Sequence, residues 1–167
     1  MILCSSEAIA LIGDMVMLFI TIFVLVLAAI FIFTCFCIYK ILDYFNFEHK
    51  VLGTFVPIYQ QYALCSVVAG KSDTVRISFI KYDVDRKVFK WSFLAPFIVA
   101  FIPVLGTLAS LVVQVMWWAT IFTYLEARIK KISIDEVNTV KQVLLGIFWY
   151  LGLFICFIWI EDKKKSK

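Results

Sequence analysis

The residue types that could support catalysis are few in this sequence and poorly spaced. Its single histidine, His49, lies between Glu48 and Lys50. A serine or cysteine nucleophile needs a neighbouring base and a third group that orients that base. The sequence contains no HExxH motif and no phosphate-binding loop, and its apolar runs carry no pair of acidic residues. We therefore predict that the protein is not an enzyme.

The sequence also gives no indication of a metal or cofactor site. Asp83 and Asp85 would share one face of a strand, where two carboxylates could bind a hard cation. No further carboxylates cluster nearby, so we interpret the pair as part of a solvated turn. Cys35 and Cys37 diverge on a helix, and the five cysteines include no CxxC pair. We expect no cofactor, no metal and no disulfide framework.

Two sets of polar side chains lie in otherwise apolar segments. Asp14 could pair with a basic residue of a partner, line an aqueous path or simply end a membrane span. Thr107, Ser110 and Gln114 are spaced by three and four residues, which places them on one helical face. This stripe could line a pore built from several copies, or it could form hydrogen bonds between packed helices.

The segments that carry these side chains are far more apolar than those of a soluble protein. Hydrophobic residues make up 63% of the 167 residues, and 17 residues are phenylalanine. An average soluble domain has about 45–50% apolar residues, and one of this size buries only about 70% of its surface. We therefore predict a single all-α integral membrane domain over 1–167, which excludes soluble enzymes, coiled coils and disordered chains.

Three apolar runs set the expected number of crossings, because a helix needs about 20 residues to cross the ~30 Å hydrocarbon core. The predicted spans are about 16–39, 104–125 and 143–160. Pro103 and Gly106 interrupt the second run, and we interpret them as a hinge that follows a half-span at 91–102. In the alternative with four crossings, 91–125 forms a helical hairpin.

The basic residues predict the orientation. All 16 lysines and arginines lie at or after Lys40, and the loop 40–90 holds eight of them. Basic loops next to spans stay in the cytoplasm. We therefore expect an inner (cell) membrane protein with its N-terminus on the outer side and this loop on the cytoplasmic side. This distribution fits anionic lipid headgroups and not nucleic acid. The residues expected to contact headgroups are Arg86, Lys87, Lys90, Lys163, Lys164 and Lys165.

The loop 40–90 contains two elements that cannot span a membrane. The piece of about 13 residues after Pro57 is too short to cross, and we expect it to lie in the membrane interface. Alternation of apolar and polar residues over 75–79 and 82–85 is typical of β-structure. We expect a small cytoplasmic β-hairpin with its turn at 83–87 and a returning strand at 87–92.

Three motifs lie in the middle of the chain, namely FVPIYQQYALC at 55–65, AGK at 69–71 and FIPV at 101–104. They resemble motifs of a family of small bacterial multi-pass membrane proteins that has no established activity. The similarity extends over about 38–130. Gln60 replaces the usual asparagine, and 73–90 is an insertion. The resemblance implies a topology and a bacterial or phage origin, and no activity.

These observations favour a non-catalytic role. We expect an integral membrane subunit or accessory protein that acts through helix and loop contacts in a larger membrane assembly. The alternative is a homo-oligomeric pore, channel or permeability factor that uses the polar stripe and Asp14. The expected partners are the lipid bilayer and either other membrane proteins or further copies of the chain.

Overall fold

The computed structural model describes residues 6–77, 80–102 and 106–165, which are mostly helical. The chain divides into two compact units, residues 1–34 and 35–167. The helices are α1 (Ser6–Tyr44), α2 (Lys50–Phe55), α3 (Pro57–Ala69), α4 (Arg86–Trp91), α5 (Ala95–Ala100), α6 (Gly106–Lys130), α7 (Thr139–Ile147) and α8 (Trp149–Lys165). The two strands are β1 (Thr74–Ile77) and β2 (Tyr82–Asp85), and short 3-10 turns occupy Ser92–Leu94 and Ile134–Glu136.

Two of these helices are long and apolar enough to cross a membrane, namely Leu11–Tyr44 of α1 and all of α6. At 1.5 Å per residue they measure about 51 Å and about 37 Å, against a hydrocarbon core of ~30 Å. They contain the first predicted span and nearly all of the second. Their length and composition indicate that the protein associates with a membrane.

The first unit consists of the N-terminal part of α1. Its described side chains, from residue 11 to residue 33, are exposed, and most of them are apolar. The hydroxyl of Thr21 donates to the carbonyl of Met17 at 2.8 Å. This bond satisfies a polar group within its own helix, as a lipid environment requires.

The second unit packs around the C-terminal half of α6. Every residue from 117 to 127 is buried, so this stretch is covered on all sides, as in the core of a larger protein. Its neighbours include α3, α5, α7, α8 and β1. The N-terminal half of α6 is different, because Leu108, Leu111 and Val112 are exposed.

The segment 91–102 and α6 form a helical hairpin. Before α5, Ser92 Oγ accepts from the indole Nε1 of Trp117 at 3.0 Å. The C-terminal end of α5 lies against the start of α6. A Cβ at Gly106 would lie 2.7 Å from the carbonyl oxygen of Val99, so the close turn requires glycine. Within the described residues α6 is long enough to cross and α5 is not, so the hairpin is present but the four crossings of the alternative are not confirmed. Pro103, the other predicted hinge residue, lies outside the described residues.

The run 143–160, predicted to be one crossing helix, is divided into two helices, so a third crossing is not confirmed. Phe148 breaks the run with φ −105° and ψ 57°. Along α7, Gln142 meets Glu126 and Gly146 meets Val115, so α7 runs antiparallel to α6. Along α8 the direction is reversed, because Gly152 meets Phe122 and Trp159 lies beside Lys130.

The predicted β-hairpin is present, but its turn lies earlier than the sequence analysis placed it. β1 and β2 are antiparallel, with Val75 opposite Val84. The stretch 87–92, expected to be the returning strand, instead lies in α4 and the 3-10 turn that follows it. The Asp85 carboxylate accepts from the backbone N–H of Lys87 at 2.7 Å, which caps α4 and ends the strand.

Gly146 makes a close contact that predicts an unusual response to alanine. Gly→Ala in a helix normally stabilises a protein by about 0.5–1 kcal/mol. A Cβ at Gly146 would lie 2.6 Å from the Val115 carbonyl oxygen, which is backbone and cannot move aside easily. We expect Gly146→Ala to lower the free energy of unfolding by about 1–3 kcal/mol, measured by thermal unfolding in detergent.

The matched control is Gly13→Ala, because no atom lies within 4 Å of the position that its Cβ would take. This variant should leave the thermal midpoint unchanged or raise it. If both variants shifted the midpoint in the same direction, the close packing of α7 on α6 would be wrong.

Candidate functional site

A buried carboxylate lies where α6 meets α7. Glu126 is only 5% exposed. Its Oε1 accepts from the Nζ atoms of Lys130 and Lys141, the latter at 2.8 Å, and its Oε2 accepts from Gln142 Nε2. A buried carboxylate without such partners would be strongly destabilising. Both oxygens are therefore occupied by donors from the protein itself.

Trp159 of α8 completes this cluster. The Nζ atoms of Lys130 and Lys141 each lie 4.5 Å from the centre of the Trp159 ring, within the range of a cation–π interaction. The cluster thus joins α6, α7 and α8 at one end of the second unit. Its hydrogen bonds and cation–π contacts hold these three helices together.

The motifs considered in the sequence do not include this cluster, because Glu126 directly follows the predicted span 104–125. Two signals could have revealed it. Glu126 and Lys130 are four residues apart, a spacing typical of ion pairs on one helix. Gln142 directly precedes the third apolar run, and its amide needs a partner when it is buried.

Two residues of the motifs at 55–65 and 69–71 have structural roles in the second unit. Gln60 is buried, and its Nε2 donates to the Thr54 carbonyl and to Cys35 Sγ, the latter at 3.4 Å. Gly70 adopts φ +52°, and any Cβ there would collide with the guanidinium of Arg128. That guanidinium donates to the Val67 carbonyl. These motifs thus supply contacts that fix α3 against α1 and α6.

The predicted polar stripe on α6 is only partly brought together. Ser110 and Gln114 line a cavity of about 180 Å³ that also contacts Gln61 of α3 and Phe97 of α5. Thr107 is exposed and does not line this cavity. Ser110 is half-buried and Gln114 is exposed, so these two side chains border the cavity at the surface of the second unit.

Asp14, the other candidate for a pore or helix contact, lies on α1 in the first unit. Its side chain is exposed. The nearby Gly13 also has open space around it, so this part of the helix surface is accessible to a lipid or to a partner.

The residues expected to contact headgroups occupy two separate helices. Arg86, Lys87 and Lys90 lie on α4, and Lys163, Lys164 and Lys165 lie in the last turn of α8. The Nζ of Lys90 lies 5.9 Å from the ring centre of Tyr62, and Lys164 lies 3.9 Å from Glu161.

The side chains considered for metal binding or nucleophilic chemistry have structural contacts. Asp83 accepts from Arg76 Nε at 3.3 Å, and Asp85 caps α4. Within the described residues, no group of three or more His, Cys, Asp and Glu side chains could hold a metal ion. Burial raises the pKa of the Cys65 thiol to about 12, so this cysteine stays protonated and unreactive near neutral pH.

Comparison of the chain with protein-family models, with characterised proteins and with solved structures finds no match.

The Glu126 cluster predicts that a neutral side chain at this position destabilises the second unit. Glu126→Gln keeps the shape but removes the charge that two lysines share. We expect the free energy of unfolding to fall by about 1.5–3 kcal/mol, measured by denaturant unfolding in detergent. Asp135→Asn is the control, because the Asp135 side chain is 80% exposed, and it should change stability by less than about 0.5 kcal/mol. Equal effects of the two variants would contradict a stabilising role for the cluster.

Proposed function

We propose that the chain is a non-catalytic integral membrane subunit or accessory protein, which acts through helix and loop contacts in a larger membrane assembly. The observation that carries this proposal is the exposed apolar surface of α1 from residue 11 to residue 33. Such a surface needs lipid or another transmembrane helix to cover it.

We propose that α1 crosses the cell membrane with the N-terminus outside and residues 40–90 in the cytoplasm. The absence of lysine and arginine before Lys40 supports this orientation. The resemblance of 38–130 to bacterial multi-pass proteins supports an inner membrane. Because α7 and α8 reverse direction at Phe148, we propose that the run 143–160 begins and ends on one side, in place of the predicted third crossing.

The non-catalytic part of the proposal is supported by the contacts of the polar side chains that could do chemistry. Asp83, Asp85 and Glu126 all bind groups of the protein itself. Asp14 differs from these, because it is exposed on the membrane helix. In an assembly, its carboxylate could pair with a basic residue of a neighbouring subunit at the outer interface.

Helix periodicity makes this proposal testable along α1. Thr21, Leu25 and Ala28 lie on one face, which carries a small residue and a hydroxyl, as helix interfaces in membranes commonly do. We expect a photoreactive side chain at Leu25 to crosslink to protein in native membranes. The same side chain at Ile30, on the opposite face, should crosslink mainly to lipid.

Asp135 provides a site on the polar surface for a second control, and its photoreactive variant should give no lipid adduct. An adduct of twice the mass of the chain would indicate self-association. Lipid adducts alone at both Leu25 and Ile30 would contradict a subunit that uses α1 to bind its assembly.

A further inference from the structure

The two-stranded sheet limits how deeply α6 can enter a membrane. A sheet of two strands has two open edges, and unpaired backbone groups are not tolerated in lipid hydrocarbon. The sheet is held against α6, because the backbone N–H of Arg76 donates to the Tyr124 hydroxyl at 2.7 Å. Val84 and Thr120 also line one shared cavity. The stretch 120–124 of α6 must therefore lie outside the hydrocarbon.

The remaining part of α6 is too short to cross. Residues 106–119 would measure about 21 Å as a helix, against the ~30 Å that a crossing requires. The C-terminal half of α6 does not need lipid, since protein covers it from 117 to 127. Its apolar composition is explained by that core.

Tryptophan side chains lie next to the stretch 120–124, both on α6 and on the neighbouring segments of the chain. Trp117 binds Ser92, next to Trp91, which is 58% exposed. Trp118 stacks on Trp149 with ring centres 5.1 Å apart. Tryptophan is enriched where a protein passes from water into hydrocarbon. Trp117 and Trp118 are themselves buried, whereas Trp91 is exposed and Trp149 is half-buried. Trp91 and Trp149 are called the aromatic belt below.

Beyond the aromatic belt, the α5–α6 hairpin exposes an apolar tip. Phe101 is 87% exposed, and Ile98 and Leu108 are each more than 60% exposed. From Trp117 to Gly106 the helix advances about 17 Å, close to half of the ~30 Å core. The turn between α7 and α8 also exposes Phe148, and it lies near the aromatic belt.

We propose that the α5–α6 hairpin enters only one leaflet, the one on the side of α4 and its basic residues, and returns to the same side without crossing. Its ligand is the acyl-chain layer of that leaflet, which covers Phe101, Ile98 and Leu108. The aromatic belt lies at headgroup depth, and Arg86, Lys87 and Lys90 lie on its aqueous side. This inference concerns depth alone and does not depend on the proposed assembly.

Nitroxide labels can measure this depth. Leu111, Leu108 and Phe101 are each replaced by cysteine in the full chain with Cys4→Ser, and the remaining four cysteines are buried. Each variant is labelled in phosphatidylethanolamine–phosphatidylglycerol vesicles. Power-saturation EPR then compares exposure to oxygen, which concentrates in hydrocarbon, with exposure to a water-soluble nickel complex. We expect the oxygen-to-nickel ratio to rise from 111 to 108 and to be highest at 101.

The label at Asp135→Cys is the aqueous control and should give the lowest ratio. If α6 crosses, the ratio at 101 will fall below that at 108, because nickel reaches position 101 from the opposite face. That result would overturn the proposal. Low exposure to both reagents at 101 and 108 would also overturn it, since protein and not lipid would then cover the tip. The tip residues are exposed, so these substitutions leave the core intact, and near-ultraviolet circular dichroism verifies this for each variant.

Discussion

Burial of the C-terminal half of α6 is the constraint on which the second unit depends. Polar groups in this stretch cannot reach water, so each needs a partner within the protein. Thr120 and Thr123 donate to backbone carbonyls one turn earlier, at 2.9 and 2.8 Å. Glu126 is too costly to bury alone, and it requires donors from a second helix. The position of α7 follows from that requirement, because Lys141 and Gln142 must reach the carboxylate.

The same burial explains how two helices of opposite direction fit against α6. Gly146 lets α7 approach the backbone of α6 at Val115, and Gly152 lets α8 approach the ring of Phe122. A side chain at either glycine would hold its helix away from α6. Because the direction reverses at Phe148, both ends of the α7–α8 pair lie near the Glu126 end of α6. The apolar turn between them lies near Trp118, at the level of the aromatic belt.

Sequence patterns predict the elements that depend on neighbouring residues in the chain. They do not reveal features that depend on tertiary contacts. Pro57 favours a helix start, and α3 begins there. Alternation predicts a β-hairpin, but its turn lies earlier than 83–87, because Asp85 pairs with Thr74 and caps α4. No proline or charged residue lies next to Phe148, and Gly146 and Gly152 on either side of it lie within helices. A run of 18 apolar residues is also long enough to span. The break there depends on contacts with α6 that no local pattern records. The contacts of Glu126 with Lys141 and Gln142 likewise join two helices, whereas its four-residue spacing to Lys130 is a local signal.

Apolar runs in a chain of this size can be covered by lipid or by the protein's own core, and length alone does not distinguish the two cases. In α1 the apolar side chains are exposed from residue 11 to residue 33, so lipid or another subunit must cover them. In α6 the apolar residues from 117 onwards are covered by the chain itself. A composition of 63% hydrophobic residues therefore does not require three crossings. Charged side chains such as Arg76 and the open edges of the β-hairpin are better guides to depth, because hydrocarbon cannot accommodate unsatisfied polar groups whatever the length of the neighbouring helix.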